Sequence, residues 1–162
     1  MFILWAVALA FLTWTGALLY WHFKLTSAIR SMEQNTVVQP DFAIGGSVGD
    51  YVAPKDARLT LMNAGCRSLP YLVRSFDPAQ SPAYLSAASD LIVLHLSAPL
   101  PHSCDQSAWE DRLDDFRVRF CIDVSAAPKL RLEKCLRLKQ WWREHGQEAH
   151  QWWRFWSRCC RE

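Results

Sequence analysis

Phe2–Phe23 reads FILWAVALAFLTWTGALLYWHF, 22 residues without a full charge. As a helix it reaches about 33 Å, enough to span a hydrocarbon core of about 30 Å. Tyr20, Trp21 and His22 close the run with rings that favour the headgroup level, and Lys24 follows. A buried core helix of this length would normally show a polar face. A cleaved signal peptide has a basic start and an apolar stretch of about 7–15 residues, and this run has neither feature. Residues 1–24 are therefore expected to form an uncleaved single-pass transmembrane helix, with membrane lipid as one partner.

The side of the membrane is read from two opposed signals. Lys24 and Arg30 follow the run and weigh towards a cytoplasmic C-terminal part. The even count of 6 cysteines weighs towards an oxidising compartment, periplasmic or intermembrane-facing, and that placement is the one expected.

Working outward, residues 25–57 read as a linker punctuated by Pro40, Gly45, Gly46, Gly49 and Pro54, with a short helical continuation of the first helix over Lys24–Met32 left open. Residues 58–128 read as a small α/β domain. Arg58–Met62 is a strand candidate, and Cys66–Phe76 a helix with Leu69, Leu72, Val73 and Phe76 on one face. Leu91–Leu96 is a continuous apolar run of buried-strand length. Ser107-Ala108-Trp109-Glu110 has the capping-box pattern and opens a short helix through Leu113 and Phe116. Arg117–Val124 alternates, with Val118, Phe120, Ile122 and Val124 on one side, the period of a half-buried strand. The order strand-helix-strand-helix-strand implies an α/β layer.

Residues 129–162 differ in character. They hold 9 Lys or Arg against 4 Glu, a net of +5, and five of the chain's 9 tryptophans. Trp142, Trp152, Trp153 and Trp156 fall at helical spacing with Leu132, Cys135 and Leu136, so a basic amphipathic helix is expected. Trp141, Trp142, Trp152, Trp153 and Trp156 are candidate contacts to a partner or to the membrane interface, since tryptophan and basic residues suit both. Packing of this helix on the chain's own domain is the third reading. Cys159-Cys160 offers an acylation site if it meets a cytoplasmic membrane surface.

Val48-Gly49-Asp50-Tyr51-Val52-Ala53-Pro54, the Arg58–Met62 segment and Cys66-Arg67-Ser68-Leu69-Pro70 together resemble the start of membrane-anchored thioredoxin-like domains. The layout is similar to that of the thioredoxin-like accessory proteins of methylamine dehydrogenase maturation, over about residues 1–128. The resemblance implies a degenerate thioredoxin-like fold, with Cys66 as the first cysteine of the redox turn and Pro128 matching the proline of that fold. Leu69 stands where the second cysteine belongs, and the closing hairpin and helix have no counterpart. A thiol at a helix N-terminus beside Arg67 gains thiolate character, which makes Cys66 the candidate catalytic residue. With no resolving cysteine three residues on, it is limited to single-thiol chemistry.

Other constellations carry less. His102-x-Cys104, with His95 and Cys121, matches no zinc spacing, so no metal is expected. Asp105, Glu110, Asp111, Asp114 and Asp115 read as a solvated helix face partly paired with Arg112 and Arg117. No phosphate loop or nucleophile elbow is present, so neither a cofactor nor a small-molecule substrate is expected. A net charge of +2 gives no footprint for nucleic acid. The functional expectation is a non-catalytic accessory or assembly subunit of a membrane complex, bound to its other subunits. The alternative is a membrane-tethered thiol-disulfide maturation factor using Cys66.

Overall fold

The computed structural model describes residues 2–39, 50–97 and 106–159. The element order is α1 (Phe2–Asn35), β1 (Val37–Gln39), β2 (Asp50–Val52), α2 (Lys55–Ala64), a 3-10 turn (Gly65–Arg67), α3 (Leu69–Ser75), α4 (Pro82–Leu96), α5 (Gln106–Phe120) and α6 (Pro128–Cys159). The two strands form one antiparallel pair with Val37 opposite Val52 and Gln39 opposite Asp50.

The architecture is thus a helical bundle with a small hairpin, and the expected α/β thioredoxin-like layer is corrected. Arg58–Met62 is helix, not strand. It lies in α2, where Ala57, Leu61 and Ala64 are buried at four- and three-residue spacing. Gly65 ends α2 with φ +56°, a left-handed conformation that glycine adopts without a Cβ clash.

Leu91–Leu96, read as a buried strand, is the last part of α4. The Ser81 hydroxyl accepts the Tyr84 N–H at 3.1 Å, and Pro82 follows at the first helical position, so the chain enters α4 already capped. Helix α4 is buried on nearly all sides, which is why its end shows no polar face. It touches α2, α3, α5 and both strands and forms the centre of the molecule.

Arg117–Val124 is not a half-buried strand either. Helix α5 runs to Phe120, and Val118 is 75% exposed while Phe120 is buried. Phe116 and Phe120, one helical turn apart, stack at 5.8 Å towards the core. After Phe120 the chain turns at Asp123, whose Oδ1 accepts the Ser125 N–H at 2.7 Å. Pro128, matched to a thioredoxin-like cis-proline, instead opens α6, and the described backbone has no cis peptide. Of the helix expected over Cys66–Phe76, Leu69–Ser75 forms α3 and Cys66 lies in the 3-10 turn before it; the short helix expected to open at Ser107 lies inside α5, which begins at Gln106, and the tail helix forms as α6. The side chain of Ser107 lies outside the described residues, as do Gly45, Gly46 and Gly49.

One hydrophobic cluster holds the bundle together. Met32, Leu61, Leu72, Phe76, Tyr84 and Ile92 are fully buried in it, joined by Phe120, Ile122 and Leu138. Leu25, Ala28, Ile29 and Met32 bring the C-terminal third of α1 into the same cluster. The long first helix is therefore anchored by the fold itself. Among the described residues no helix is long and apolar enough to cross a membrane. The expected single-pass transmembrane anchor, and the periplasmic or intermembrane-facing placement that depended on it, are corrected accordingly.

Candidate functional site

Helix α1 leaves the bundle as an apolar stalk. Trp5, Phe11 and Trp14 are 66%, 62% and 63% exposed, and Val7, Leu9, Leu12, Leu18, Leu19 and Phe23 are exposed with them. Isolated exposed apolar residues are ordinary, but a contiguous set of this size is a candidate interaction surface, for protein or for membrane. The two threonines in the stalk are turned inward on their own helix: Thr13 Oγ1 donates to the Leu9 carbonyl at 3.0 Å, and Thr15 Oγ1 to Phe11 at 2.9 Å.

The apolar side chains form two lines on opposite faces. Trp5, Leu9, Leu12, Gly16, Leu19 and Phe23 follow alternating steps of four and three, and all six are exposed. Val7, Phe11, Trp14 and Leu18 follow the same rhythm on the other face. Such a rhythm is the seam along which helices interdigitate. On the first face a Cβ at Gly16 would meet nothing within 4 Å, so an incoming backbone has room there.

The base of the stalk is fixed in direction. The guanidinium of Arg67 lies 5.5 Å from the Trp21 ring, and the Lys24 ammonium lies 5.4 Å from the same ring. His22 Nδ1 and the Tyr71 hydroxyl are 3.2 Å apart. These contacts tie the last exposed turn to the 3-10 turn and α3, so the stalk is presented at a set angle.

Cys66, the expected catalytic thiol, is half-buried in the 3-10 turn between α2 and α3. Its Sγ lies 3.9 Å from the His95 carbonyl oxygen. Burial pushes the thiol above its ordinary range, and its own backbone hydrogen bond offsets this only in part. The surroundings thus favour the protonated thiol. His95 beside it is buried, which pushes its imidazole towards the neutral form, and its Nε2 has no hydrogen-bond partner.

A polar node that the sequence reading missed joins β2, α4, the end of α5 and α6. The Tyr51 hydroxyl donates to Asp90 Oδ2 at 2.5 Å, and the Cys121 thiol to Oδ1 at 3.0 Å. The Ile122 N–H donates to Ser89 Oγ at 3.0 Å, and Lys134 Nζ to the Cys121 carbonyl at 2.5 Å. Burial, and then the Asp90 carboxylate, push the Tyr51 hydroxyl well above its ordinary range and the Cys121 thiol up to about 11. Both groups hold their protons at neutral pH, so the node fastens elements rather than supplying a nucleophile. The signal for it was Asp90, the one charged residue between Asp77 and Asp105.

The tail tryptophans divide. Trp141 packs inward, 5.6 Å from Phe116, 5.7 Å from Phe120 and stacked on His145 at 5.1 Å. Trp142 lies over Gly146, where a Cβ would come within 2.9 Å of its ring. Both belong to the periphery of the core. Trp152, Trp153 and Trp156 lie on α6, and their side chains are outside the described residues, as are His102, Cys104 and Cys160. On α5, Arg117 pairs with Asp114 at 3.7 Å and Arg119 with Asp115 at 2.8 Å, both exposed. Among the described residues no three His, Cys, Asp or Glu side chains are placed to hold a metal ion.

Comparison with protein-family models, with curated proteins and with solved structures finds no match to the chain.

Proposed function

We propose that the chain is a non-catalytic assembly subunit that binds a helical protein partner along the α1 stalk. The observation that carries this reading is the line Trp5, Leu9, Leu12, Leu19 and Phe23, each more than half exposed and spaced for helix packing. The contacts at Trp21 and His22 support it, because a surface held at a set angle loses less entropy on docking. Large aromatic and aliphatic side chains are the residues that dominate such interfaces. The thiol-disulfide alternative is weaker. Cys66 is half-buried, favoured as the protonated thiol and without a second cysteine in its turn.

The test is purification of the full chain in mild detergent, beside Leu12→Asp/Leu19→Asp, with mass spectrometry of what accompanies each. The expected result is a discrete protein in fixed ratio with the wild type and absent from the variant. The same companions in both preparations, or none in either, would overturn the reading. Thiol-dependent turnover lost in Cys66→Ser would promote the enzymatic alternative.

A further inference from the structure

The second face of the stalk continues a seam that the molecule already uses. Val7, Phe11, Trp14 and Leu18 are exposed. The same alternation of four and three then reaches Trp21, Leu25, Ala28 and Met32, which are half-buried or buried. Helices α2 and α3 pack on α1, and the buried residues of α1 lie in this second half. One half of the seam is thus covered within the chain, and the other half runs out of the bundle with the same packing geometry.

We propose that a second copy of this chain covers the outer half, with the two stalks antiparallel. The pattern is self-complementary about its midpoint. In the antiparallel register Val7 faces Leu18 of the second copy and Phe11 faces its Trp14, so the larger rings meet at the centre. A two-fold interface requires that reciprocity. The antiparallel direction follows from the covered half. A parallel pair on this face would bring α2 and α3 of both copies to the same level on the same side, where they collide. In the antiparallel pair the two bundles lie at opposite ends. No charged side chain lies between Trp5 and Phe23, so the contact buries no unpaired charge.

The area is sufficient. Phenylalanine and tryptophan bury about 150–250 Å² each. Two of each, with Val7 and Leu18 from both copies, offer at most about 1,000 Å² of their exposed surface, the lower edge of a specific interface. The proposal goes beyond the assembly reading, since it uses the opposite face of the stalk and the chain itself as occupant.

The experiment uses the full chain in mild non-ionic detergent. Its mass is measured by light scattering, and a photoreactive benzoylphenylalanine at position 11 is cross-linked in an equal mixture of ordinary and nitrogen-15 chains. The expected mass is twice the 18.7 kDa chain. Mixed-isotope cross-links should map from position 11 to the neighbourhood of Trp14. Phe11→Glu should weaken dimerisation by about a hundred-fold or more, as loss of a central hot spot does. Its helical circular dichroism should be unchanged, because Phe11 is exposed, and Trp14→Gln provides a second variant. A monomer at all concentrations, cross-links from position 11 to position 11, or a dimer that survives both variants would overturn the proposal. So would monomeric uptake of the stalk into protein-free phosphatidylcholine vesicles. Loss of the Leu12/Leu19 partner by a chain that never dimerises would leave the assembly reading standing and this inference refuted.

Discussion

Leu18 and Leu25 lie seven residues apart on one face of α1, yet Leu18 is 52% exposed and Leu25 is 1% exposed. The difference comes from where α2 and α3 end along that face, not from the residues themselves. The same leucine therefore has two different roles within two turns of helix. Leu25→Ala should lower the unfolding free energy by about 2–5 kcal/mol, the usual range for a fully buried leucine. Leu18→Ala should change it by about 0.5 kcal/mol or less in the monomeric chain. Urea midpoints of the two variants at a protein concentration that keeps the chain monomeric give the comparison, and equal losses would place Leu18 in the core.

The node at Asp90 makes a separate claim. Tyr51→Phe removes a donor to a carboxylate and should cost about 1–2 kcal/mol, reduced from the usual charged-bond value because Asp90 is exposed. Cys121, pushed up to about 11, should react with iodoacetamide at pH 8 far more slowly in the native chain than in urea. Fast native labelling of Cys121 would mean that the thiol is not held against Asp90.

Gly146 and Trp142 predict a helix substitution with the opposite sign to propensity. Alanine normally gains about 1 kcal/mol over glycine inside a helix. At position 146 its Cβ would sit 2.9 Å from the Trp142 ring, and a ring cannot yield as a flexible side-chain tip does. Gly146→Ala should therefore lower the melting temperature, with a net cost of about 1–2 kcal/mol. In a Trp142→Ala background the same change should become neutral or stabilising. A gain in the wild-type background would show that Trp142 swings away freely.

His95 gives the pH dependence. Burial lowers its affinity for a proton in the folded chain, so the unfolded chain binds more protons in that range. Its contribution is fully present above the unfolded value of about 6.5 and is lost as pH falls below it. The urea midpoint should drop between pH 7.5 and pH 5.5, and His95→Leu should flatten that slope. An unchanged slope in the variant would assign the acid sensitivity elsewhere.

The sequence was legible where one face of a helix meets solvent. Leu69, Leu72 and Val73 on α3 keep the helical period because their opposite face stays polar. On α6 the helix and the buried Cys135 were legible, but Leu132 and Leu136, read on the same face, are exposed and Leu138 is buried instead. The sequence misled where that contrast vanishes. Leu91–Leu96 belongs to a helix covered on nearly all sides, and a short run that is apolar all round reads equally as strand or helix. In Arg117–Val124 the alternation was accidental, since Val118 faces solvent and Phe120 the core. The thioredoxin-like reading rested on Arg58–Met62 as a strand and fell with it. In α1 the apolar run was plain, but the sequence did not show that α1 continues to Asn35 and enters the core from Leu25. The Tyr51–Asp90–Cys121 node joins residues 39 and 31 positions apart, a closeness that only the folded chain creates.

The stalk as a protein-docking surface is tested most directly by site-specific photo-cross-linking in the native cellular setting. Benzoylphenylalanine is placed singly at Leu12 and Leu19 on the stalk, and at Val118 and Leu136 as exposed apolar controls on the bundle. The expected result is a discrete protein adduct from Leu12 and Leu19, of one mass for both, with no such adduct from Val118 or Leu136. Adducts to lipid alone from the stalk positions, or equal protein adducts from all four, would contradict it.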